Sequence, residues 1–145
     1  MTHVRQQIRE AAATALSGNT DAGTNVFDSL TYPSDVSAIP LVHVHIEEEE
    51  SEFLNTSLHM QRSASMVVTA VQKGTESTLD NALDRLAVQI EGVLGGNTLS
   101  DLSKWTQLVA TGVERSGDAN EPIGEISLTF QVIYHTAAND AETAL

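Results

Sequence analysis

The sequence predicts a two-layer α+β domain, a mainly antiparallel sheet of four to five strands covered by two helices. Three observations predict it. Two segments repeat apolar residues at helical spacing, and each has a single apolar stripe, so each needs one surface to cover. Several segments alternate apolar and polar residues or are rich in β-branched residues, as strands are. The chain has 145 residues and no cysteine, the size of one domain that buries roughly two-thirds of its unfolded surface and needs no staple.

The elements follow in order. Residues 3–16 read as a helix, with Val4, Ile8, Ala11, Ala12, Ala15 and Leu16 on one stripe and Gly18 placed to end it. Residues 17–40 form a long connection, in which only Val26-Phe27-Asp28-Ser29 has the character of a short strand. Leu41 to Ile46 is β-branched and alternating, a strand that ends where the run Glu47-Glu48-Glu49-Glu50-Ser51-Glu52 begins. That run reads as an acidic loop, because carboxylates resist burial. Arg62 to Gln72 is a strand that is apolar on both faces near its centre, which places it inside the sheet.

The second helix spans about Thr78 to Leu94, with Ser77 as N-cap, Asp80 near the positive end of the dipole and Gly95-Gly96-Asn97 as its stop. Its buried stripe is Leu79, Leu83, Leu86, Ile90, Val93 and Leu94. Strands at about Thr106 to Arg115 and Glu125 to His135 follow, joined by a hairpin loop from Ser116 to Pro122. The last strand alternates most cleanly, with Ile126, Leu128, Phe130, Val132 and Tyr134 facing one way. The predicted order is α-β-β-β-α-β-β. Residues 1–136 form the domain, and 137–145, small and polar, are expected to be a mobile tail.

Charge narrows the function. Twenty acidic side chains against seven basic ones give a formal charge of −13. Such a surface repels phosphate, so specific nucleic-acid binding and anionic-membrane binding are not expected. Copies of the chain also repel one another at low salt. No apolar run follows Met1-Thr2-His3-Val4-Arg5, so no signal peptide is expected, and no apolar stretch is long enough to span a bilayer.

Candidate chemistry is sparse. His43 and His45 stand two apart on a strand and share a face; with a nearby carboxylate they form part of a zinc ligand set, but no third ligand is placed. The plainer reading is a strand face turned to solvent or to an interface, with Val42, Val44 and Ile46 on the other side. Glu47, Glu48, Glu49, Glu50 and Glu52 offer carboxylate oxygen to a hard cation, without a calcium-loop register. The plainer reading there is a solvated loop, and an interaction reading is a patch met by a basic partner. There is no Gly-x-Ser-x-Gly elbow, dinucleotide fingerprint or phosphate loop. No catalytic residue, metal site or cofactor is therefore expected. Trp105 reads as a core or edge anchor, or as an interface residue if exposed. Arg62 and Arg115, scarce cations in an acidic chain, are the candidates to pair with a neighbour's acidic run.

The ordered features resemble those of the tail terminator proteins of long-tailed bacteriophages, the lambda minor tail protein U-like family. The resemblance is carried by the first helix Val4 to Leu16, by Asn25-Val26-Phe27-Asp28-Ser29 and Tyr32-Pro33, and by Ile39-Pro40-Leu41-Val42-His43-Val44 followed by the acidic run. It continues through the strand from Arg62, the Leu79-x-x-x-Leu83 helix and Pro122-Ile123-Gly124 leading into Ile126 to Tyr134. It covers about residues 3–136 and rests on order and spacing. His43 and His45 stand outside the pattern. The resemblance implies a ring, typically hexameric, on the head-proximal end of the tail tube. Its partners are other copies of itself, the tail tube protein and a head–tail connector or neck protein; it is a virion component assembled in the host cytoplasm, and not an enzyme. Three alternatives stand beside it: another head–tail joining or tail-completion protein, a metal-dependent enzyme built on His43, His45 and the glutamates, and a bacterial acidic adaptor.

Overall fold

The computed structural model describes residues 2–28, 39–75, 77–116 and 122–145. Its elements are α1 (Val4–Leu16), β1 (Val26–Phe27), β2 (Leu41–Phe53), β3 (His59–Lys73), α2 (Leu79–Leu94), β4 (Trp105–Ser116) and β5 (Ile123–Ala137). The predicted order of helices and strands is the order found. Ser29, Tyr32-Pro33 and the middle of the loop between β4 and β5 lie outside the described residues.

The five strands form one sheet in the order β1-β2-β3-β5-β4. Every pairing is antiparallel except that of β1, which runs parallel to β2 through Val26 and Val42 and through Phe27 and His43. The pair β3–β5 is the centre of the sheet, as the two-sided apolar character of β3 predicts. Alternation then sets the core. Ile126, Leu128, Phe130, Val132 and Tyr134 of β5 join Ala64, Met66, Val68 and Ala70 of β3 and Val42 and Val44 of β2. This face meets Val4, Ile8, Ala12 and Leu16 of α1 and Leu79, Leu83, Leu86, Ile90 and Leu94 of α2. Each fully buried Leu or Ile contributes about 1.5–3 kcal/mol relative to exposure.

The helix stops obey local rules. Ser17 N–H bonds to Ala13 O, and Gly18 follows at φ +79, a backbone that favours glycine. Gly96 plays the same part after α2, at φ +71. The start of α2 departs from expectation. Its N-cap is Thr78 rather than Ser77, and the Thr78 hydroxyl turns back to accept the Thr75 N–H at 3.0 Å instead of capping the helix.

The larger correction concerns β2. The acidic run is not a loop; the strand continues through it to Phe53, and β3 starts earlier, at His59, to pair with it. The register jumps from Ile46 opposite Met66 to Glu48 opposite Ser65, leaving Glu47 as the extra residue of a β-bulge. The bulge reverses the side-chain phase. Glu49, opposite the buried Ala64, therefore takes the helix-facing side, while Glu48, Glu50 and Glu52 take the other. A solvated strand accepts glutamates at the outward positions, which is why the composition of the run pointed to a loop.

The last residues return to the body. Ala138 N–H bonds to Leu58 O at 2.7 Å, Val4 N–H to Ala141 O at 2.8 Å and Leu145 N–H to His135 O at 2.9 Å. Ala144 packs against the core.

Candidate protein–protein interface

The phase reversal at Glu47 builds a charged cluster between β2, β3, β5 and α1. The Glu49 carboxylate accepts from Arg5 Nη1 at 2.6 Å and from Arg62 Nη1 at 3.2 Å, and the Tyr134 hydroxyl donates to its other oxygen. Arg62 Nε also donates to Thr136 Oγ1 at 3.0 Å. The side chains of Glu49 and Arg62 are only 8% and 11% exposed, whereas Arg5 is 41% exposed. Burial pushes the Tyr134 phenol well above its usual range, reinforced by the hydrogen bond to Glu49 and its negative charge. Tyr134 therefore stays a donor at all ordinary pH values. Two of the sequence-predicted contact residues, Glu49 and Arg62, thus meet each other within one chain.

Arg115 also has a partner in its own chain, the Asp80 carboxylate on α2, but both side chains are more than half exposed. Such a pair contributes little and leaves Arg115 reachable. Glu47, Glu48, Glu50 and Glu52 are exposed. With Ser51, Gln61, Ser63, Gln131 and Ile133, Glu50 and Glu52 line a shallow open cleft on the sheet face away from the helices. Nothing nucleophilic is paired with a base there.

His43 and His45 share one face, as their spacing requires, and their rings stack with centroids 5.9 Å apart. His43 is nevertheless buried, at 4% exposure, rather than turned to solvent. His45 Nδ1 is buried without a hydrogen-bond partner. Among the described residues no group of three or more His, Asp or Glu side chains comes together in a way that could hold a metal. Burial lowers the pKa of both rings; the neighbouring His45 lowers His43 further, and Glu47 partly opposes the shift at His45. A depressed pKa means that the folded state holds these imidazoles neutral while the unfolded chain protonates them near pH 6.5. Stability is thus full above about pH 6.5 and falls as the pH drops through the folded-state values. The melting temperature is expected to fall from pH 7 to pH 5, and to fall less in a His45→Gln variant. An unchanged slope in a thermal-unfolding series across that range counts against this account.

Two groups of exposed apolar side chains complete the surface. Phe53, Leu54 and Leu58 crowd the tip of the β2–β3 hairpin, and Trp105, Val109 and Val113 lie along β4, which is an edge strand. Neither group was marked by the sequence, apart from Trp105. Val109 is the extra residue of a bulge between Leu108 and Ala110, which reverses the side-chain phase of β4 and sets Val113, opposite Ile126, on the helix-facing side. No helix among the described residues is long and apolar enough to cross a membrane.

No family model matches the chain, and no curated protein matches it. Among solved structures, it is similar to a chain of the virion of a native gene transfer agent particle, with a TM-score of 0.53, 18% identity and 90% of each chain covered. The α+β fold is thus shared, over nine-tenths of both chains, with a chain of a virion particle.

Proposed function

We propose that this protein is a non-enzymatic structural component of a phage-like virion and, within it, the tail terminator. Copies form a ring on the head-proximal end of the tail tube, stop further tube subunits from adding, and offer the opposite face to a neck protein. The observation that carries the reading is the fold likeness to a virion chain over nine-tenths of both chains. The ordered features from Val4 to Tyr134 support the narrower role. So does the surface: an acidic face repels DNA passing through a ring and suits contacts with basic partner surfaces. Glu47, Glu48, Glu50 and Glu52 supply that charge, and the hairpin tip supplies apolar contact area.

The test is electron microscopy of tails assembled with and without the protein. Without it, tubes should exceed their normal length and fail to join heads. Tubes of normal length that only fail to join heads would make it a neck protein instead.

A further inference from the structure

We propose that the copies join edge to edge, the outer edge of β4 in one copy pairing in antiparallel register with the outer edge of the acidic half of β2 in the next. The inference rests on the self-assembly reading above and names the two surfaces that carry it.

Both edges are open among the described residues. β1 covers β2 only at Val42 and His43, so the edge of β2 beyond them, through Phe53, has no strand beside it. β4 ends the sheet on the other side, with one outward contact near its start, where Thr106 O accepts the Gly96 N–H at 2.9 Å. Exposed edges are normally guarded by charge, proline or a β-bulge. From Trp105 to Val113, β4 has the bulge at Val109 but no charge or proline, and it exposes Trp105, Val109 and Val113 at 44%, 56% and 52%. An apolar edge of this length is a template for another strand.

Direction and charge select a second copy as the occupant. β2, β3, β5 and β4 alternate in direction across the sheet, so β4 runs antiparallel to β2. When copies repeat in the same orientation, β4 of one meets β2 of the next as an antiparallel pair, the pairing this sheet already uses. Because the two edges differ, the contact is heterologous, and a suitable rotation closes it into a ring. The ends also match. Glu50, Ser63, Ile133 and Trp105 lie in one row across the sheet. The start of β4 is therefore level with the acidic end of β2. Lys104 is exposed and makes no ion pair among the described residues. In the next copy, with the row continued, Trp105 lies beside Glu50 and Lys104 beside Ser51, between Glu50 and Glu52.

The experiment mixes nitrogen-15-labelled and unlabelled full-length protein, lets it assemble alone and on tail-tube ends, and applies a zero-length carbodiimide cross-linker. The unlike labels separate a link between copies from one within a chain, where Lys104 and Glu50 stand about 14 Å apart across three strand spacings. The expected product joins Lys104 to Glu50 or Glu52 between peptides of unlike label. In parallel, Val109→Glu should keep the wild-type circular dichroism, since the side chain is exposed, yet weaken association at least ten-fold by sedimentation, because it sets a carboxylate against the acidic half of β2. If wild-type rings form but the variant assembles equally well, or the cross-links fall elsewhere, the edge pairing is wrong and the terminator reading stands. Protection of β4 only when tube or neck protein is added would give the edge to that partner and overturn the proposal. If the wild type never multimerises, even on tube ends, the ring reading falls with it.

Discussion

Replacing Glu49 with alanine should lower the unfolding free energy by about 3–5 kcal/mol, the usual loss when one partner of a buried ion pair is removed. The size follows from what is left behind. Arg62 is 11% exposed and would keep its charge with only the Thr136 hydroxyl and the His3 ring nitrogen, 3.5 Å away, as partners. The Tyr134 hydroxyl, on a fully buried residue, would lose its acceptor. Arg5 is partly solvated and would lose least. A loss of that size moves the melting temperature of a domain this large by about 10 °C. Glu48→Gln and Glu50→Gln, only one position away on either side, should change stability by no more than about 0.5 kcal/mol, because their side chains are already in water. Urea unfolding of the three variants checks this. Equal effects at all three positions would mean that the bulge does not set Glu49 apart. The result also decides how the acidic run is tested for function: changing all five glutamates would mix a stability loss at Glu49 with any loss of assembly. The informative variant changes Glu47, Glu48, Glu50 and Glu52 alone.

The sequence reading and the structure part company at the same place. Periodicity was enough for α1, α2 and β5, because each has one buried side and the period exposes it; β4, where only Thr106 is buried, was legible from its β-branched residues instead. β1 was legible as a short apolar interruption in a polar stretch. The far half of β2 was not, since a half-solvated edge strand tolerates glutamate at every outward position, and composition then imitates a loop. The partners of Glu49 were beyond reach for a different reason. Arg5, Arg62 and Tyr134 lie 44, 13 and 85 residues away in sequence, and only a one-residue bulge turns the carboxylate toward them. The histidine pair shows an intermediate case. Spacing placed both rings on one face, but alternation along β2 alone did not show that His43 is buried there. Exposure of Val109 and Val113 depended on β4 lying at the edge, which is a property of strand order and not of the strand.

Phe130→Ala should be as costly as the loss of Glu49, about 3–5 kcal/mol, and for a simpler reason. Phe130 is fully buried on the central strand β5, opposite Met66 on one side and Leu108 on the other. Truncation removes the ring and leaves a cavity that neighbours held by two hydrogen-bonded strands cannot close. Trp105→Ala makes the comparison useful. Both residues line the same cleft between β4 and the end of α2. Yet Trp105 is 44% exposed at the sheet edge, so its truncation should cost the isolated chain about 1 kcal/mol or less. If β4 is the joining edge, that truncation instead removes the aromatic contact at its start, and a buried aromatic between copies often accounts for about 2 kcal/mol or more. Thermal unfolding and sedimentation of the two variants separate the effects: Phe130→Ala should melt early, and Trp105→Ala should melt near the wild type but associate at least ten-fold more weakly. Equal losses of stability in the two variants would place Trp105 in the core and leave β4 without the apolar surface that a second copy needs.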